Sequence, residues 1–112
     1  MEYRQALEQV KQKYHIVEKA CDMAEIIVNK NLDNFNMFYI AIADDDGDIV
    51  LNDLACTCEV IDLPEEKFVE ICAKHNVVFD DWHISCKYEN LDSLENYISC
   101  IQNLVDEYNP NY

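Results

Sequence analysis

Four aspartates crowd around the single glycine of this 112-residue chain, in Asp44-Asp45-Asp46-Gly47-Asp48, and Asp53 follows shortly after. Carboxylates grouped in this way can hold a hard cation or present negative charge to a basic partner. An EF-hand loop with Gly47 at its sixth position would need an oxygen ligand at Ile42, so that calcium motif is excluded. A looser Mg²⁺ site on Asp44, Asp46 and Asp48 requires those residues to share one strand face. Cys56-x-Cys58, Cys72-x-x-His75 and His83-x-x-Cys86 have the spacing of zinc-ligand pairs. On a strand, however, His83 and Cys86 point to opposite sides, which leaves Cys56, Cys58, Cys72 and His75 as the workable set. Cys72 as a nucleophile with His75 as its base lacks an orienting acid and an oxyanion donor. Asp62 with Glu65-Glu66-Lys67 offers an acid-x-Lys spacing, but the triplet also reads as an ordinary helix start. Small apolar packing is the commoner fate of buried cysteines, and a solvated turn that of clustered aspartates. No catalytic residue, metal or cofactor is assigned.

The elements that position these residues follow from periodicity. Asp46-Gly47 is the signal of a type I′ hairpin, because both central residues need positive φ. With that loop, Asp45 opposes Asp48, Asp44 opposes Ile49 and Ile42 opposes Leu51, so that Phe38, Ile40, Ile42, Ile49 and Leu51 share a core face. Upstream, Tyr3, Leu7, Val10, Tyr14, Val17, Cys21, Ala24 and Val28 recur every three or four residues, which predicts one long helix with a heptad seam. Its less apolar half, Tyr3, Leu7, Val10 and Tyr14, is the candidate homodimer surface. Asn29 to Asn36 ends it. Leu54 to Ile61 alternates like a strand or an extended connector. Pro64 opens a helix to His75 that buries Phe68, Val69, Ile71 and Cys72. A second hairpin has Asp80-Asp81 as its loop, Phe79 opposite Trp82 and Val77 opposite Ile84, with His83, Ser85 and Lys87 facing away from the core. The last helix repeats Leu91, Leu94, Tyr97, Ile98, Ile101, Leu104, Val105 and Tyr108, and Asn109-Pro110 stops it.

The expected architecture is α+β in one domain: a long N-terminal helix over residues 1–32, two antiparallel hairpins forming a small sheet, a middle helix and a C-terminal helix. The net charge of -15 falls entirely on residues 33–112, since residues 1–32 balance five acids with five bases. That sign disfavours direct nucleic-acid binding and anionic membranes. A single glycine excludes phosphate-cradling loops and nucleophile elbows. A polar start without a signal sequence, and cysteines read as reduced thiols, suggest a cytoplasmic protein.

From Phe38 to Tyr108 the order of features resembles a small domain of unknown function in bacterial and phage-associated proteins, with a hairpin, an L-T-D-D-G motif, a helix, a short strand pair and a closing helix. Leu51-Asn52-Asp53-Leu54-Ala55 stands in the place of that motif, without its second Asp and its Gly. The resemblance implies a mobile-element origin, which the many Asn, Ile and Tyr codons of an AT-rich source also fit. The functional expectation is a non-enzymatic acidic protein that docks on a basic groove of a nucleic-acid-processing protein, as phage-encoded inhibitors do, anti-CRISPR proteins among them. Asp44, Asp45, Asp46, Asp48, Asp53, Asp80 and Asp81 are the expected contact residues. The alternatives are an oligomeric adaptor acting through the first helix and a metal-dependent enzyme using the Asp44 to Asp48 tip.

Overall fold

The computed structural model describes residues 1–108 and shows four helices on a six-stranded antiparallel sheet. The long N-terminal helix is not formed. Helix α1 covers only Tyr3–Lys11, opened by a capping box in which Glu2 and Gln5 satisfy each other's backbone groups. The chain then makes a hairpin, β1 (His15–Ala20) and β2 (Met23–Ile27), where the heptad pattern implied continued helix. Two periods compete in this stretch. Ala24, Ile26 and Val28 are buried while Met23, Glu25 and Ile27 are half-buried, a period of two that the β-branched Ile16, Val17, Ile26 and Ile27 favour. Of the supposed seam, Val17 and Cys21 lie exposed.

Strands β3 (Ile40–Asp45) and β4 (Asp48–Asn52) form the hairpin around Gly47, with Asp45 opposite Asp48, Asp44 opposite Ile49 and Ile42 opposite Leu51. Residues 54–61 are no strand. Leu54 and Ala55 take positive φ, and a short helix α2 follows over Cys56–Val60. Helix α3 (Glu65–Lys74) has Pro64 as its N-cap and buries Phe68, Ile71 and Cys72, whereas Val69 is exposed. The second hairpin, β5 (Val78–Asp80) and β6 (His83–Lys87), pairs Phe79 with Ile84 and Asp80 with His83. Its loop is therefore Asp81-Trp82, one residue later than Asp80-Asp81. The face assignments survive because the partner of Phe79 moves by two residues, which preserves the pleat. Helix α4 runs Leu91–Tyr108. The proposed stop at Asn109-Pro110 lies outside the described residues.

The strand order is β1-β2-β3-β4-β6-β5. All four helices cover one face, where Ala24, Ile26, Ile40, Ile42, Ile49, Leu51 and Ile84 pack against Leu7 and Val10 of α1, Phe68 and Ile71 of α3, and Leu94, Tyr97 and Ile101 of α4 in one continuous core. Tyr3, Leu7 and Val10 are part of that core and are not available to a second chain. Leu7→Ala should therefore lower unfolding free energy by about 3 kcal/mol through lost burial and a residual cavity. Urea denaturation checks this; a change close to zero would return Leu7 to the surface.

Candidate functional site

The carboxylates of the β3–β4 turn sit at one end of the sheet. The β1–β2 turn lies beside them, and Asp44 donates its backbone N–H to the carbonyl of Asp22 at 2.9 Å. Asp22, Asp44, Asp45, Asp46 and Asp48 thus form one acidic edge, all five exposed. Lys87 is the base beside them, with Nζ 3.7 Å from Asp48 Oδ2. At the turn, Gly47 at φ 93 and Asp46 at φ 53 give the positive φ of the expected loop, and the Gly47 N–H donates to Asp44 Oδ1 at 3.1 Å.

Asp22 was hidden from sequence reasoning inside the supposed helix. The alternation of buried residues after it was the available signal.

The second acidic turn is elsewhere. Because β4 and β6 are antiparallel neighbours, the turn at Asp80 and Asp81 lies at the opposite end of the sheet, separated by a strand length of roughly 17 Å. The two turns therefore do not form one contiguous row of carboxylates. Asp53 also leaves the contact set, since its side chain is fully buried. Its Oδ1 accepts the N–H of Ile84 at 3.0 Å and of Ala55 at 3.1 Å, and its Oδ2 accepts the N–H of Thr57 at 3.2 Å. Asp53 therefore ties the start of α2 to strand β6 and holds Ala55 at φ 65. Ala55 at φ 65 has a backbone geometry that glycine adopts without strain.

The metal and nucleophile constellations are dispersed. In the two-residue loop Asp45 and Asp48 share a face, so Asp44 and Asp48 point to opposite sides of the hairpin. No three His, Cys, Asp or Glu side chains gather as a metal set among the described residues. Cys72 and Cys100 face each other in the core with sulfurs 3.9 Å apart, the Cys100 thiol donating, which pulls Cys72 below its ordinary value. The same contact, together with burial, pushes Cys100 up. Burial pushes Cys58 and Cys86 up to about 12, so both remain thiols at neutral pH. His75 Nε2 is hydrogen-bonded with Asn103 Oδ1 at 3.2 Å and does not address Cys72. Lys67 of the acid-x-Lys triplet is paired with Glu107 at 3.1 Å.

A shallow cleft of about 410 Å³ is lined by Ala55, Glu59, Asp62, Phe68 and Trp82 among others. Trp82 stands at φ 62 and packs edge-on against Phe68 and Phe79. A tryptophan in this conformation is uncommon, and Trp82 lies in the β5–β6 loop, not opposite Phe79 in a strand as its spacing predicts.

Tyr14, the last of the proposed seam residues, is half-buried and locks the end of α1 to α4. Its hydroxyl donates to Glu95 Oε1 at 2.8 Å, and Lys13 Nζ approaches the same oxygen at 2.8 Å. Lys13 holds the Glu95 carboxyl below the usual range, and burial together with this hydrogen bond pushes Tyr14 up to about 12. The unfolded phenol titrates near 10. The stabilisation from protonated Tyr14 is thus complete below pH 10 and is lost as pH rises from there through about 12. Tyr14→Phe should lower the phenolate absorbance that the native chain gains between pH 10 and about 12 by one tyrosine's share; an unchanged rise would refute the assignment.

No known protein family, curated protein or solved structure matches this chain.

Proposed function

We propose that this is a non-enzymatic acidic interaction protein whose Asp22 and Asp44 to Asp48 edge docks on a basic groove of a nucleic-acid-processing protein in place of nucleic acid. The observation that carries the reading is the arrangement of that edge. Five exposed carboxylates stand on two adjoining turns, with the ammonium of Lys87 the base beside them. Clustered like charge costs stability to the isolated chain, and a basic partner turns that cost into attraction. Lysines and arginines of a nucleic-acid groove respond to spaced negative charge whether phosphate or carboxylate supplies it. Relative to the wider set of contacts read from sequence, the surface shrinks to one end of the sheet and excludes Asp53, Asp80 and Asp81. A phage or mobile-element inhibitor of the anti-CRISPR kind, working in the cytoplasm, is the biological setting this chemistry fits.

The test is competition. The immobilised chain is exposed at low salt to a lysate of its source cell, and bound protein is eluted with duplex DNA. Release of a nucleic-acid-binding enzyme by DNA is the expected result. A partner that DNA fails to displace, and that stays bound in high salt, would contradict mimicry.

A further inference from the structure

Trp82 is the one tryptophan of the chain, and it is 45% exposed although it belongs to an aromatic cluster. Its ring stands nearly perpendicular to the stacked rings of Phe68 and Phe79, with centroids 6.1 and 5.6 Å away. The cluster fixes the indole in place and leaves part of it in the wall of the cleft of about 410 Å³. Ile61, Leu63 and Phe68 continue that apolar wall, and Glu59 and Asp62, both exposed, are the charged residues in it. No Lys, Arg or His is among the described residues that line it.

This combination is not simply the average of an acidic chain. The hollow at the end of α1 is lined by Lys11 and Lys13, and the one beside β6 has Lys87 together with Glu89. In the Trp82 cleft an anion would be repelled, and a purely apolar group would take water from two carboxylates without replacing it. An arginine suits both halves of the lining. Its stem covers apolar surface, its planar guanidinium lies on an indole face, and its N–H groups pair with carboxylates. Leu54 and Val69, next in sequence to the lining residues Ala55 and Phe68, are 43% and 50% exposed and offer apolar surface to the residues that flank the arginine. We propose that the cleft lined by Phe68, Trp82, Glu59 and Asp62 receives an arginine side chain from an exposed segment of a partner protein.

The site is separate from the acidic edge. Trp82 sits in the β5–β6 loop, at the end of the sheet opposite the β3–β4 turn. The arginine site therefore does not depend on nucleic-acid mimicry, and each fails without the other. A single arginine in an open cleft binds weakly, with a dissociation constant on the order of 1 mM. Salt weakens it further, because two carboxylates supply much of the attraction.

With Trp82 the one tryptophan, its fluorescence reads the site directly. The full chain is titrated with a short capped peptide that holds one arginine between two leucines, and with the same peptide carrying glutamine in that place. The expected result is a saturable change in Trp82 emission with the arginine peptide and none with the glutamine peptide. Glu59→Gln together with Asp62→Asn should weaken binding roughly tenfold or more. Both residues are exposed, so melting temperature should stay where it is and show that the variant folds. Asp44, Asp45, Asp46 and Asp48 changed together to Asn should leave peptide binding as it is in the wild type. The proposal is overturned by no saturable change, by an equal response to the glutamine peptide, by affinity that survives the Glu59 and Asp62 changes, or by affinity lost with the four Asp44 to Asp48 changes.

Discussion

Asp53→Ala is expected to cost on the order of 4 kcal/mol of stability, although no base pairs with this residue and it lies in a turn. The deletion leaves the N–H groups of Ile84, Ala55 and Thr57 without their acceptor, and two of those bonds are buried. Each buried donor left unsatisfied costs roughly 1–3 kcal/mol. The loss compounds locally. Leu54 and Ala55 hold positive φ at 52 and 65, a strained pair for residues with side chains, and the Asp53 carboxylate is what fixes the turn. Asp53→Asn should recover part of the loss. Its remaining carbonyl can still accept from Ile84 and Ala55, while its NH₂ group would face the Thr57 N–H. Urea denaturation should therefore rank wild type above Asn and Asn above Ala. An alanine variant as stable as the wild type would mean that Asp53 is free, and would return it to the contact surface.

The contrast between Asp53 and its neighbours at Asp44 to Asp48 shows what the sequence could and could not disclose. Asp46-Gly47 is a local signal, since one glycine with alternating apolar flanks determines both loop and register, and the β3–β4 pairing follows it residue for residue. Helix α4 is legible for the same reason, with its repeat sustained over five turns and no competing period. Residues 12–28 carry two periods at once. Nothing in the β1–β2 turn, which has neither Gly nor Pro, breaks the tie in favour of strands. Asp81-Trp82 adopts left-handed geometry without glycine, so its loop was displaced by one residue. Above all, strand order is not a local property. The adjacency of β4 and β6, which sends the two acidic turns to opposite ends, leaves no trace in spacing or composition. Asp53 lay beside acids in sequence and was grouped with them, whereas its three backbone partners are assembled only by the fold.

The second large effect concerns function. Asp44, Asp45, Asp46 and Asp48 changed together to Asn should abolish most of the affinity for the basic partner while leaving the fold in place. All four are exposed; the hydrogen bond from Gly47 N–H to Asp44 Oδ1 can be accepted by an asparagine oxygen, and the exposed Lys87–Asp48 pair at 3.7 Å contributes little. Four Glu→Gln changes elsewhere, at Glu8, Glu65, Glu66 and Glu70, remove the same net charge from other surfaces. Ions at physiological strength screen over about 8 Å, so carboxylates distant from the contact contribute little to binding there. A pure solubility role for the charge would make the two sets equivalent.

The decisive measurement is the dissociation constant for the partner released by DNA, taken across a salt series for the wild type, the tip variant and the distributed variant. The account predicts a steep loss of affinity with salt for wild type and distributed variant, and weak, nearly salt-independent binding for the tip variant. Equal affinities and equal salt slopes for all three chains would contradict it.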